Sequence, residues 1–201
     1  MPELIVTSEF TVNSQSGLIS PARQRLSPNR DARPDGATPD MIILHGISLP
    51  PREFGGGEIE ALFLNQLDWD AHPYFAEIKA LTVSAHLFVR RDGELVQFVP
   101  FTERAWHAGK SRFRGCSRCN DFSIGIELEG EDDTPYDERQ YQVLTKVLRA
   151  MARAYPALTP REIAGHCDVS PGRKSDPGPA FDWLRLYDAL GDTPEHKNSC
   201  T

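Results

Sequence analysis

The sequence predicts one domain that mixes strands and helices, α/β in class and of the α+β type, and three observations carry that expectation. Met41-Ile42-Ile43-Leu44 is a short unbroken apolar run, the pattern of a strand buried on both faces. Two alternating segments, Leu81 to Arg90 and Leu95 to Phe101, flank Arg91-Asp92-Gly93-Glu94, whose Asp-Gly pair favours a tight hairpin. From Asp137 the apolar period changes to 3.6. Tyr141, Leu144, Leu148, Met151 and Tyr155 then share one face of an amphipathic helix of about five turns.

The other elements follow in chain order. Residues 1–40 read as an irregular lead-in, with turn chemistry from Arg23 to Gly36 that wraps the surface. The Met41–Leu44 strand ends at His45-Gly46. Leu49 to Gly57 is a loop whose glycines lack the spacing of a phosphate-binding fingerprint. Glu58 to Asn65 has helical spacing through Ile59, Leu62 and Phe63. Phe122 to Gly130 alternates, with Ser123, Gly125, Glu127 and Glu129 on one face; two acids there make either a solvated face or a catalytic floor. Asp137 and Gln140 form a capping box for the long helix, and Pro156 stops it. Arg161 to Gly165 is a short strand, and Phe181 to Leu190 a closing helix. Residues 1–191 are expected to form one domain and 192–201 a flexible tail.

Composition narrows the partners. At 201 residues the chain can bury one ordinary core, and 39% apolar with 25% charged residues are globular proportions. A net charge of −7 repels phosphates, so neither nucleic acid nor an anionic membrane is expected as a partner, although Lys110 to Arg118 gathers four basic residues. No run approaches the roughly 18 apolar residues of a membrane span. Met1 to Thr7 lacks the basic and apolar regions of a signal peptide, so the expectation is a cytoplasmic protein, taken as a monomer. Cys116 and Cys119 form a C-x-x-C that could be half a zinc site or a redox pair. No second pair completes it, so two loop thiols are expected, with Cys167 and Cys200 as free thiols.

The chemistry concentrates in Gly165 to Pro179. His166, Lys174 and Asp176 fall within eleven residues of a loop stiffened by three prolines and three glycines. Of the six histidines, His72 and His107 lie in loop-like segments, His86 in a strand and His196 in the tail. His45 and His166 each end a strand, and Asp176 follows ten residues after His166. Two imidazoles and a carboxylate with a fourth position open are the ligand set of a catalytic zinc site. Spacing alone leaves that and a purely structural role for the histidines equally open.

Longer blocks add a resemblance. Leu44-His45-Gly46-Ile47-Ser48-Leu49-Pro50-Pro51, Ala71-His72-Pro73-Tyr74-Phe75, Val83-Ser84-Ala85-His86, Arg104-Ala105-Trp106-His107-Ala108-Gly109, Cys119 to Gly130, and Gly165 to Asp168 with Asp176 to Pro179 are similar to the zinc N-acetylmuramoyl-L-alanine amidase family. That family also contains the peptidoglycan recognition proteins and phage T7 lysozyme. The resemblance runs from about His45 to Trp183, more loosely from Ser27-Pro28-Asn29, and is nearest to the cytoplasmic members that act on 1,6-anhydro-muropeptides in cell-wall recycling. It implies a mixed central sheet flanked by helices. It also implies His45, His166 and Asp176 as zinc ligands, Glu127 as the catalytic carboxylate and Lys174 as the cation beside the reacting carbonyl. Tyr74, Trp106 and Arg118 are candidates for substrate contact, Trp106 equally for the core.

Without the resemblance, Lys174 reads as a surface lysine paired with Asp176, and Glu127 as a solvent-facing acid. Two residues depart from the family pattern: Gly46, where relatives usually carry Asn, and Cys116. Two competing functions remain open. A muropeptide-binding module without catalysis would lack a full ligand set, and an amidase acting on the intact wall would need export.

Overall fold

The computed structural model describes residues 9–192. The strands are β1 (Thr11–Asn13), β2 (Leu18–Ser20), β3 (Arg23–Gln24), β4 (Arg30–Ala32), β5 (Met41–Ile47), β6 (Leu87–Val89), β7 (Leu95–Gln97), β8 (Glu103–Ala105), β9 (Arg112–Phe113), β10 (Cys116–Ser117), β11 (Ser123–Glu129) and β12 (Ile163–Gly165). The helices are α1 (Glu58–Phe63), α2 (Pro73–Glu77), α3 (Glu138–Ala154), α4 (His166–Val169) and α5 (Trp183–Leu190). No described helix is long and apolar enough to cross a membrane.

A six-stranded mixed sheet in the order β12-β5-β11-β6-β7-β3 organises the chain. Strands β12, β5, β11 and β6 run parallel, β7 returns antiparallel to β6, and β3 lies parallel to β7 at the edge. The mixed sheet flanked by helices is the architecture implied in the sequence.

The two faces of β5 and β11 do different work. Ile42 and Leu44 of β5, with Ile124, Ile126 and Leu128 of β11, pack in one core cluster with Leu144, Val147, Leu148 and Met151 of α3. Burying those side chains stabilises the fold by about 1.5–3 kcal/mol each. The Asp137–Gln140 capping box forms, with Gln140 Oε1 accepting from the Asp137 N–H at 2.9 Å and Asp137 Oδ1 accepting from the Arg139 N–H at 3.0 Å. Gln140 also donates to the carbonyls of Val89 and Glu129, so the cap is tied to the sheet. The opposite face carries Met41, Ile43 and His45 beside Ser123, Gly125, Glu127 and Glu129, because side chains alternate along a strand. Met41 and Ile43 pack there against Ala108, Cys119 and Val169.

Several expectations are corrected. The lead-in is not irregular: it supplies β1 to β4, with β3 in the main sheet. Besides Phe10 and Ile19, its buried side chains include the polar Ser27, Asn29 and Arg33, which hydrophobic patterning does not detect. Ser27 Oγ donates to the Phe63 carbonyl, Asn29 donates to the Val83 carbonyl, and Arg33 donates to the carbonyls of Phe101, Asp121 and Ser123 at 2.9–3.1 Å. The strand expected over Leu81 to Arg90 shortens to Leu87–Val89, because upstream the Ser84 N–H turns to the Trp106 carbonyl. The Leu95 to Phe101 segment pairs only over Leu95–Gln97. Cys167 is disulfide-bonded rather than a free thiol, whereas Cys116 and Cys119 are free. The expectations for Met1 to Thr7, His196, Cys200 and all but the first residue of the C-terminal tail lie outside the described residues.

Candidate active site

Strand register brings the candidate residues together. Glu127 on β11 is the parallel partner of His45 on β5, and Gly165 at the end of β12 is the partner of Leu44. His45 and Glu127 therefore sit side by side on adjacent parallel strands, and His166 directly follows the third, β12, all towards the carboxyl ends of the strands. Open sheets with parallel strands bind ligands at that edge. Strand β5 continues through Ile47, so His45 lies just inside its end, and His166 opens α4 immediately after β12.

The loop after α4 returns Asp176 to the same point. Its backbone carbonyl accepts from the Cys167 N–H at 3.0 Å, and Tyr136 Oη donates to the next carbonyl, that of Pro177, at 2.9 Å. His45 Nδ1 lies 2.9 Å from His166 Nδ1 and 3.1 Å from Asp176 Oδ2, and His166 Nδ1 lies 3.0 Å from the same oxygen. Ligand atoms around a tetrahedral zinc with bonds of about 2.0–2.2 Å stand roughly 3.3 Å apart, so this triangle of nitrogen and oxygen donors has the chemistry and nearly the size of a zinc cradle. Among the described residues it is the one cluster of at least three His, Cys, Asp or Glu side chains spaced to hold a metal.

Burial dominates the electrostatics of the cluster. Burial pulls the His45 imidazole down to about 4, with the nearby Asp176 working in the opposite direction. Burial would raise Asp176, but the two imidazoles beside it hold the carboxyl far below the usual range. Glu127 goes the other way. Burial pushes its carboxyl well above the usual range, Asp176 adds to that, and Lys174 opposes it. Glu127 Oε1 is 4.0 Å from His45 Nδ1, and its Oε2 is buried with no hydrogen-bond partner. A buried polar atom without a partner costs about 1–3 kcal/mol, which a folded protein retains where the atom has a task.

The cluster opens into a cleft of about 760 Å³ whose walls include Glu127, Lys174, Tyr74 and Trp106. Lys174 is exposed and makes no ion pair with Asp176, so the surface pairing that its position in the sequence suggests does not form. Trp106 is half-buried and donates from Nε1 to Asp31 at 3.2 Å. Arg118 stands outside the cleft wall, exposed and paired with Asp121 at 3.1 Å. An ion-pair ladder of Asp31, Arg104 and Asp121 joins it to Trp106. The solvated-face alternative for β11 is excluded, since Glu127 is 9% and Glu129 2% exposed. Glu129 braces the cleft loop, accepting from the Gly55 and Arg91 N–H groups. A Cβ at Gly46 would fall 2.2 Å from Tyr136 Oη, so a larger residue there requires the Tyr136 side chain to shift.

Sequence reasoning passed over His107. It is buried on the polar face of β11, with Nδ1 2.9 Å from His45 Nε2 and Nε2 3.2 Å from Ser123 Oγ. A Cβ at Gly125 would lie 2.4 Å from its ring, so glycine is what lets the imidazole cross the strand. That was the available signal: a glycine inside an alternating strand marks a close approach.

Known proteins carry the same pattern. The family model described as N-acetylmuramoyl-L-alanine amidase matches residues 35–179. The chain is 56% identical over 172 residues to 1,6-anhydro-N-acetylmuramyl-L-alanine amidase AmpD of Escherichia coli (strain K12), covering 86% of this chain and 93% of that protein. It is 47% identical to the Haemophilus influenzae protein of the same name, over 88% of this chain and 96% of the relative. A crystal structure of a selenomethionine AmpD derivative superposes with a TM-score of 0.86 at 52% identity, over 89% of this chain and 98% of that one. The Escherichia coli amidase AmiD, solved with anhydro-N-acetylmuramic acid-L-Ala-D-γ-Glu-L-Lys, superposes at 0.55 with 29% identity, over 81% of this chain and 62% of that one. With the family model spanning most of the chain, and relatives above half identity matching nearly end to end, the chain belongs to the N-acetylmuramoyl-L-alanine amidase family.

Proposed function

We propose that this protein hydrolyses the amide joining the lactyl group of 1,6-anhydro-N-acetylmuramic acid to L-alanine, as a zinc enzyme of peptidoglycan recycling. The observation that carries the reading is the triangle of His45, His166 and Asp176 donors beside Glu127, whose Oε2 has no hydrogen-bond partner, in the wall of the cleft. The names of relatives at 47–56% identity supply the anhydro-sugar and the L-alanine.

His45 and His166 would hold the metal through Nδ1, and Asp176 through Oδ2. Zinc held there supplies a Lewis acid that brings the pKa of a water from 15.7 towards about 7 and polarises the amide carbonyl. Glu127 accepts the proton of the attacking water and returns it to the leaving nitrogen of L-alanine. Burial favours the protonated carboxyl that returns the proton, whereas Lys174, and a cation held beside it, favour the ionised carboxylate that accepts it. Lys174 places its ammonium against the carbonyl oxygen as negative charge develops; removing such a donor typically costs about 2.7–4 kcal/mol of barrier. Tyr74 and Trp106 offer ring surface to the sugar, whereas Arg118, outside the cleft wall and paired with Asp121, is not placed to meet the substrate.

The test is to incubate zinc-loaded protein with an anhydromuramoyl-tripeptide and follow free anhydromuramic acid and tripeptide by mass spectrometry. Release by the wild type, and none by a zinc-retaining Glu127→Ala, is the expected result. An inert wild type would overturn the function, and a fully active variant would overturn the role of Glu127. The protein would work as a cytoplasmic monomer. Cell fractionation and light scattering decide both points.

A further inference from the structure

The second layer of the site is a chain of hydrogen bonds with a direction. His45 Nε2 meets His107 Nδ1 at 2.9 Å, and His107 Nε2 meets Ser123 Oγ at 3.2 Å. All three residues are buried: His45 is 1% exposed, His107 9% and Ser123 0%. Each nitrogen must therefore find its partner within the protein. His166 is the fixed end. Its Nε2 lies 3.2 Å from the Ala108 carbonyl, which can only accept, so that nitrogen carries the proton and Nδ1 presents a lone pair. Arg173 Nη2, at 3.4 Å from the same nitrogen, has nearer acceptors in Ala108, Lys110 and Ser170.

We propose that His107 is a positioning residue, and that the relay His45–His107–Ser123 decides which nitrogen of His45 offers its lone pair to a cation. This rests on the metal-site reading above. With zinc held by His45 Nδ1, His45 Nε2 carries the proton and donates to His107 Nδ1, and His107 Nε2 then donates to Ser123 Oγ. Without the metal the directions reverse. His45 Nδ1 faces two acceptors, the His166 lone pair and Asp176 Oδ2, and must carry the proton itself. His45 Nε2 then accepts from His107 Nδ1, and the Ser123 hydroxyl donates to His107 Nε2. Both imidazoles stay neutral in both states, and only the side that carries the proton changes. Outer-layer partners of this kind orient a ligating histidine and fix its tautomer.

Two measurements test this. Zinc dissociation constants come from competition with a chromophoric chelator, for wild type, His107→Phe and His107→Asn. Phenylalanine keeps the ring but offers nothing to His45 Nε2–H, whereas the asparagine carbonyl can stand in for Nδ1. The expected result is affinity weaker by about 10- to 100-fold for His107→Phe and restored to within a few-fold of wild type by His107→Asn. Wild-type affinity in the phenylalanine variant, or an equal loss in a folded asparagine variant, overturns the proposal.

Long-range ¹H–¹⁵N spectra of the histidines in unmutated protein give the second readout, which survives even if neither variant folds. The His107 proton is expected on Nδ1 in metal-free protein and on Nε2 once zinc is added. A His107 tautomer that zinc leaves unchanged overturns the relay. A wild type that fails to bind zinc at all overturns the metal site instead. In that case the metal-free tautomer still judges the relay, since Nε2–H there contradicts it.

Discussion

Replacing Glu127 with glutamine separates what this carboxyl does for the reaction from what it costs the fold. The side chain is buried, its Oε2 has no partner, and burial raises its pKa well above the ordinary 4.5. Below about pH 4.5 the group is protonated whether the chain is folded or not, and stability does not depend on it. Above that pH the unfolded chain loses the proton while the folded protein keeps it, so the folded state binds more protons and stability falls as pH rises. The slope reaches about 1.4 kcal/mol per pH unit until the folded group ionises too.

Glutamine keeps the shape and has no proton to lose. The metal-free Glu127→Gln protein should therefore gain on wild type in urea unfolding as pH rises above about 4.5, until the folded carboxyl ionises as well. In the zinc-loaded form it should lose about 10²- to 10⁴-fold in turnover, the usual contribution of a general acid–base. A stability gap that stays flat across that pH range would refute the burial argument. Near-normal hydrolysis would refute the catalytic one.

Other perturbations probe the rest of the frame. Asp176→Ala removes one corner of the donor triangle, and chelator competition should show zinc bound more weakly, with occupancy falling below that of wild type at limiting metal. Arg33→Met strips buried carbonyls at Phe101, Asp121 and Ser123 of their donor, and chemical denaturation should register a loss of at least about 3 kcal/mol. Leu144→Ala opens a cavity between α3 and the sheet where the side chain is 0% exposed, and should cost about 2–5 kcal/mol with little change in zinc affinity.

How far the sequence can be read depends on the kind of signal each element carries. The α3 stripe and its Asp137–Gln140 cap, the β5 run and the β11 alternation are periodic, local patterns, and all three appear in the structure. The N-terminal forty residues carry no such pattern, because Ser27, Asn29 and Arg33 are buried by hydrogen bonding rather than by apolar contact. The resemblance to amidases picked out His45, His166, Asp176 and Glu127 together. Local pattern alone reached His45, His166 and Asp176 as a zinc ligand set no more favoured than a structural role, and an ambiguous acidic strand face for Glu127. His107 escaped both routes, since only the glycine it crosses marks its place.

Residue types and their spacing were enough to determine the alternation that puts Glu127 on the polar face of its strand, the helix that covers the apolar face, and the stiff loop that carries Asp176. Which strands lie side by side was decided only in three dimensions. The β12-β5-β11 order sets His45 beside Glu127, with His166 directly after β12, although 121 residues separate the two histidines along the chain. Pairing of distant parallel strands is a non-local contact that leaves no period in the sequence. The same holds for the protonation geometry behind the site, because the tautomer of an imidazole is set by whichever group the fold brings to its far nitrogen.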